Sequence, residues 1–256
     1  MKFRFLFKIL FIFIILINYS FSDEINFNST NIKILENGNI INALNVEANI
    51  PDQKIEIEGN RSIYDKQNKK LTVIDEVKFY DNLKNVYLEG DKAIYDQNID
   101  LVKTIGKTFI KIEDKYKLYS SDLFYDRKSG KIYSNKETVI KDDKKNVFNL
   151  EDNFVFDIIN EIISSDKTNI LDSKNNNYIF EKAKINLKNS EIVGKELKVD
   201  FVDSYFGDSR NDPIIKGKSA TSNENQTKVY KAAFTTCNTE NKKCPGWEIQ
   251  TEEFTH

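Results

Sequence analysis

The sequence predicts an all-β fold, a folded-over antiparallel sheet built from six hairpin repeats of about 30 residues between residues 24 and 202. Three observations predict it. Anchors at Ile34, Tyr64, Tyr95, Tyr125, Phe156 and Ile185 recur in steps of 30, 31, 30, 31 and 29 residues, each followed seven residues later by Ile41, Leu71, Val102, Ile132, Ile163 or Ile192. Turn-forming residues punctuate the chain about every fifteen residues. Between the turns, apolar and charged residues alternate with the period of a half-buried strand, as Ile55 and Ile57 do with Glu56 and Glu58.

The repeats follow in order. A spacing of seven predicts that each anchor faces its partner across a two-residue turn at Asn37-Gly38, Gln67-Asn68, Asn98-Ile99, Lys128-Ser129, Ile159-Asn160 and Lys188-Asn189. Asn-Gly tolerates the positive φ of a tight hairpin. A second set of turns falls halfway between, at Pro51-Asp52-Gln53, Asp81-Asn82, Glu113-Asp114, Asp142-Asp143-Lys144 and Lys174-Asn175-Asn176. The long strands between them break at mid-length, at Gly59-Asn60, Asp75-Glu76, Gly90-Asp91, Gly106-Lys107 and Ser120-Ser121, which folds the sheet onto itself. About twelve strands at ~4.8 Å spacing make a trough on the order of 50 Å long with open edges at both ends. Helices are excluded, because Asn, Asp and Gly clusters recur too often.

Composition removes much enzymology. The only histidine is His256, so no catalytic triad, imidazole base or histidine metal site can form inside the fold. Adjacent acids such as Asp75-Glu76 and Glu252-Glu253 point to opposite faces of a strand and make no acid-base pair. The Asp after each aromatic anchor starts a turn and lacks the Gly-rich repeat of a calcium roll. No cofactor or metal is expected, and no catalytic residue. With 38 basic against 40 acidic residues, nucleic acid is not an expected partner. Lys69-Lys70, Lys144-Lys145 and Lys242-Lys243 read as solvated turn surface.

Residues 1 to 22 read as a secretory signal peptide, with Lys2, Arg4 and Lys8 ahead of the uncharged run Ile9 to Ile17, and Ser20 and Ser22 before a cut at Asp23. An uncleaved single-span anchor is the alternative. Either reading places the remainder outside the cytoplasm, where thiols oxidise. Cys237 and Cys244 are therefore expected in disulfides, with each other or with cysteines elsewhere, since too few ligands accompany them for zinc. Trp247 suits either a membrane interface or packing on such a disulfide.

The Tyr-Asp steps at Tyr64-Asp65, Tyr95-Asp96 and Tyr125-Asp126 resemble the OstA-like β-jellyroll of periplasmic lipopolysaccharide-transport proteins. More specific are Asn211-Asp212-Pro213, Lys216-Gly217-Lys218-Ser219-Ala220, Phe234-Thr235-Thr236-Cys237 and Cys244-Pro245-Gly246-Trp247-Glu248-Ile249. These are similar to the segment that joins jellyroll to outer-membrane barrel in the LptD family of lipopolysaccharide-assembly proteins. The resemblance implies a signal peptide over 1–22, a periplasmic OstA-like jellyroll over 23–202, and a linker over 203–256 leading to a barrel beyond this sequence, as in an N-terminal fragment or a truncated product. It also implies location at the periplasm and cell outer membrane of a Gram-negative envelope. The implied partners are lipopolysaccharide, a like-folded periplasmic bridge protein joined by β-strand addition, and an outer-membrane lipoprotein plug.

On periodicity alone, aromatic and β-branched residues at inward strand positions are plain core. The resemblance instead makes Tyr64, Leu71, Tyr95, Val102, Tyr125, Ile132, Phe156 and Ile163 the lining of a lipid groove. The function expected is non-enzymatic holding and passing of acyl chains. A bridge or membrane-anchored scaffold acting by edge-strand pairing is the alternative, and a polysaccharide-cleaving β-solenoid has the least behind it.

Overall fold

The computed structural model describes residues 25–201, 212–223, 226–236 and 247–255. Among them there is no α-helix, and eighteen strands form one antiparallel sheet. The strands are β1 (Asn26–Asn28), β2 (Asn31–Leu35), β3 (Ile40–Ile50), β4 (Ile55–Asp65), β5 (Lys70–Asp81), β6 (Val86–Asp96), β7 (Leu101–Ile112), β8 (Tyr116–Ser121) and β9 (Phe124–Asp126). They continue as β10 (Lys131–Ser134), β11 (Thr138–Asp142), β12 (Val147–Asp157), β13 (Ile162–Leu171), β14 (Asn177–Asn186), β15 (Glu191–Asp200), β16 (Ile214–Ser222), β17 (Thr227–Thr235) and β18 (Ile249–Thr255). The fold is all-β and of jellyroll type, as the sequence predicts. The signal segment 1–22 lies outside the described residues.

Register follows the repeat. Ile34 faces Ile41, Tyr64 faces Leu71, Tyr95 faces Val102, Tyr125 faces Ile132, Phe156 faces Ile163 and Ile185 faces Ile192. The connections differ from the prediction. Asp65 and Lys70 are the last pair of their hairpin, so four residues form the loop instead of two. The reason is local: the Asp65 carboxylate accepts the Asn68 backbone N–H at 2.9 Å and its side-chain amide at 2.7 Å. Asp157 does the same with Asn160, at 3.0 and 2.8 Å. A loop started by such an Asx turn returns to the strand through one left-handed residue, which falls at Lys69, Asp100, Gly130, Glu161 and Ser190. Asn68 and Asn160 thus act by gripping the aspartate, not by adopting positive φ. In the first hairpin, Asn37 and Gly38 do take positive φ, at 55° and 97°.

The mid-strand breaks form a crease. Left-handed residues interrupt strands at Asn45, Asp75, Glu76, Gly106, Asn153, Lys167, Glu196 and Lys231, and pairing slips between Glu58 and Arg61, Ile74 and Val77, Gly90 and Lys92, and Asp152 and Phe154. Each long strand therefore crosses from one layer to the other, and its two ends return to a common seam. One lip of the seam carries the turns at 66–69, 97–100, 127–130, 158–161 and 187–190. The other carries those at 51–54, 82–85, 113–115, 143–146 and 172–176.

The sheet does not stop near residue 202. β16 pairs with β15 from Ile192–Ser222 to Asp200–Ile214, β17 with β16, and β18 with β17. The stretch read as a linker thus supplies three strands, which bury Ile215, Ala220, Val229 and Ala232. Its small and basic residues, Lys216-Gly217-Lys218-Ser219, blur the alternation that marks the earlier strands.

Candidate functional site: a sealed section and a hollow one

The eight residues predicted to line a groove form one inward row, and the structure seals them. Leu71, Val102, Tyr125, Ile132, Phe156 and Ile163 are 0% exposed, Tyr95 is 1% and Tyr64 is 9% exposed. As the structure stands, Tyr64, Leu71, Tyr95, Val102, Tyr125, Ile132, Phe156 and Ile163 pack as plain core and line no open groove. Their rings fill the space between layers: Phe27 packs on Tyr64, Phe79 on Tyr95 and Tyr116 edge-on against Phe156 at centroid distances of 5.6, 6.1 and 5.3 Å.

Polar clasps close the seam over this core. Arg127 reaches across it, donating from Nε to Asp81 at 2.8 Å and from Nη2 to the Gln53 carbonyl at 3.1 Å, while Nη1 binds Asp100. Tyr125 donates its hydroxyl to Asp81 at 2.9 Å, Tyr95 donates to Asp100 at 2.9 Å and also meets Gln53, and Lys84 donates to the Arg127 carbonyl. The Arg127 and Asp81 side chains are 4% and 0% exposed. A buried charge is tolerable only when paired and hydrogen-bonded, and this cluster meets that condition. Burial opposes the charge on Arg127, but Asp81 and Asp100 outweigh it and raise its pKa. Burial, reinforced by Asp81, also pushes the Tyr125 hydroxyl well above its ordinary value.

Further along the seam the clasps weaken. Tyr116 and Lys115 donate to Glu161 at 2.6 and 3.4 Å. Partial burial works against the Glu161 charge, yet these bonds prevail and hold its carboxyl below the usual value. Next, Lys144 reaches Ser190 at 3.4 Å. At this link a cavity of about 840 Å³ begins between the layers.

One wall includes Phe148, Ile170, Tyr178, Phe180, Leu197 and Val199; the other includes Ile185, Leu187, Ile192, Ala220, Val229 and Phe254. Lys144, Lys174, Asn146, Asn175 and Ser190 line its polar end together with the carboxylates Asp142 and Asp172. Tyr178, Leu187, Ile192, Phe201 and Phe254 are only partly buried although they pack against the core. Burial and the adjacent Asp172 carboxylate push the Tyr178 hydroxyl up to about 12. The hollow has a readable cause. At one position per repeat the chain places Tyr64, Tyr95, Tyr125 and Phe156, then Ile185, and the same cross-strand row ends in Ile192, Ser222 and Thr227. Where the aromatic series stops, the layers are no longer filled. Close packing persists behind Phe180, whose ring lies against Gly194, and at Val229 against Gly217; a Cβ at either glycine would stand 2.2 Å from its neighbour.

Sequence reasoning missed this site because it weighed each anchor as equivalent, although the change from aromatic to Ile185 was visible. Cys237 and Cys244 lie outside the described residues. Trp247 is 46% exposed, its ring 6.0 Å from Phe234. Among the described residues no group of three or more His, Cys, Asp or Glu is placed to hold a metal. No family model matches the chain, and no curated protein matches it.

Proposed function

We propose that this chain is a non-enzymatic lipid-holding module of the periplasm, of the lipopolysaccharide-assembly type, and that acyl chains lodge between the layers of its C-terminal section. The observation that carries the reading is the largely apolar cavity of about 840 Å³, within the size range of small-molecule sites, with lysine, asparagine and aspartate at its polar end. The sequence resemblance to OstA-like proteins supports lipopolysaccharide as the ligand. It also supports a like-folded bridge protein and a lipoprotein plug as partners, at the cell outer membrane. The cavity, not the aromatic row, is the section that holds the chain.

A scaffold acting by strand addition is the second reading. It is favoured by β18, whose only pairing among the described residues is to β17 and whose Ile249 is 59% exposed.

Photo-crosslinkers at Tyr178 and Ile192 separate these readings. Capture of lipopolysaccharide there, with none at the sealed Val102, is expected. Equal labelling at all three positions, or labelling by protein alone, rejects the acyl-chain reading.

A further inference from the structure

The outside of the sheet carries a feature unrelated to the cavity. On β7, β8, β11, β12, β13 and β14 the outward residues form two cross-strand rows. The row nearer the turns runs Lys111, Lys117, Lys141, Val147, Leu171, Asn177. The row behind it includes Phe109, Tyr119, Val139 and Ile179, with Asn149 and Asn169 between the last two. These twelve positions hold three lysines and no acid, in a chain with 40 acidic residues. Glu89, opposite Phe109, and Asp200, opposite Asn177, bound the patch at its two ends, and Glu137, Glu151 and Glu181 bound it one row behind.

The lysines stand directly opposite one another, an arrangement that repels unless an anion relieves it. Asp114 relieves Lys111 at 2.7 Å. Lys117 and Lys141 make no ion pair among the described residues; Lys141 lies over the Tyr119 ring, 5.6 Å from its centre. Beside them Phe109 and Tyr119 pack at 5.2 Å, and Tyr119 is 45% exposed. Six strands at ~4.8 Å spacing make this a face on the order of 25 Å wide.

We infer that this face lies on an anionic phospholipid surface, Lys117 and Lys141 pairing with lipid phosphates while Tyr119, Val139, Val147 and Leu171 meet the headgroup–acyl boundary. Charge complementarity selects an anionic partner. The aliphatic half of the face selects lipid over a polyanionic glycan or nucleic acid, because Val139, Val147, Leu171 and Ile179 offer such polymers neither hydrogen bonds nor stacking.

The test is co-sedimentation of the full chain with phosphatidylcholine vesicles, with and without phosphatidylglycerol. Binding is expected only with phosphatidylglycerol, weakened roughly tenfold or more in Lys117→Glu/Lys141→Glu. Lys33→Glu/Lys184→Glu, on the outer face of the other layer, is expected to bind as the parent does. Tyr119→Ser is expected to weaken binding severalfold at raised salt, where the apolar contact dominates. Equal loss in both lysine pairs, binding that ignores phosphatidylglycerol, or capture by dextran sulfate that vesicles cannot displace overturns the inference. Equal thermal midpoints of the variants exclude misfolding as a cause, and lipid capture in the cavity is read separately by the crosslinks at Tyr178 and Ile192.

Discussion

The section through the Phe156–Ile163 pair and the section beyond it share a hairpin unit, a register and a crease, yet one is solid and the other hollow. The first places an aromatic at the same inward position of its hairpins at Tyr64, Tyr95, Tyr125 and Phe156, and closes its seam with the Arg127 cluster. The second places Ile185 there and has Lys144–Ser190 at the edge of its opening. One side chain per repeat and one buried cation thus distinguish the filled section from the hollow one. Backbone pairing is indifferent to what fills the gap between layers; side-chain volume is not.

Arg127→Met attacks the solid section most directly. It strands Asp81 without its cation and is expected to lower stability by about 3–5 kcal/mol in urea unfolding. A loss below ~1 kcal/mol would mean that the clasp does not hold the seam. Gly194→Ala tests the hollow section. The new methyl group collides with Phe180, whose ring borders the cavity, so a cost of about 1–3 kcal/mol should accompany weaker binding of an apolar fluorescent probe. Unchanged probe binding would place the ligand elsewhere.

Ile185→Phe continues the aromatic series and should convert hollow toward solid. Stability is expected to change by less than ~1.5 kcal/mol while probe affinity drops severalfold. Retained affinity would break the link between the aromatic series and the cavity.

The smallest effect concerns Glu161, which joins the two sections. Its folded pKa lies below its unfolded one, as do those of Asp126 and Asp157. The unfolded chain then binds more protons in acid, so this stabilisation is present above the ordinary carboxylate value near ~4 and is lost as pH falls through the folded values. Glu161→Gln should remove part of that acid slope, by less than ~1 kcal/mol because the site is partly solvated. An unchanged slope in thermal midpoint against pH would show that the clasp is not charged.

Several features were legible because they are local. The pairing of Tyr64 with Leu71 and of Phe156 with Ile163 follows from alternation plus turn residues within one hairpin. The crease follows from Gly106 and Asp75-Glu76, where the chain leaves the extended region. The turn length was misread because Asp65 has two uses, strand end and loop cap, and only the geometry shows Asn68 gripped by it. Strand β16 escaped notice because glycine, serine and lysine obscure its apolar face, and β18 because Phe254 alone of its residues is even partly buried.

Residue order within each hairpin decides register, crease and which face turns inward, since those depend on contacts between neighbours in the chain. Whether that inward face is sealed or open depends on partners far apart, such as Asp81 with Arg127 or Tyr116 with Glu161. Volume and charge must balance across two layers at once, and that sum exists only when the sheet has closed on itself.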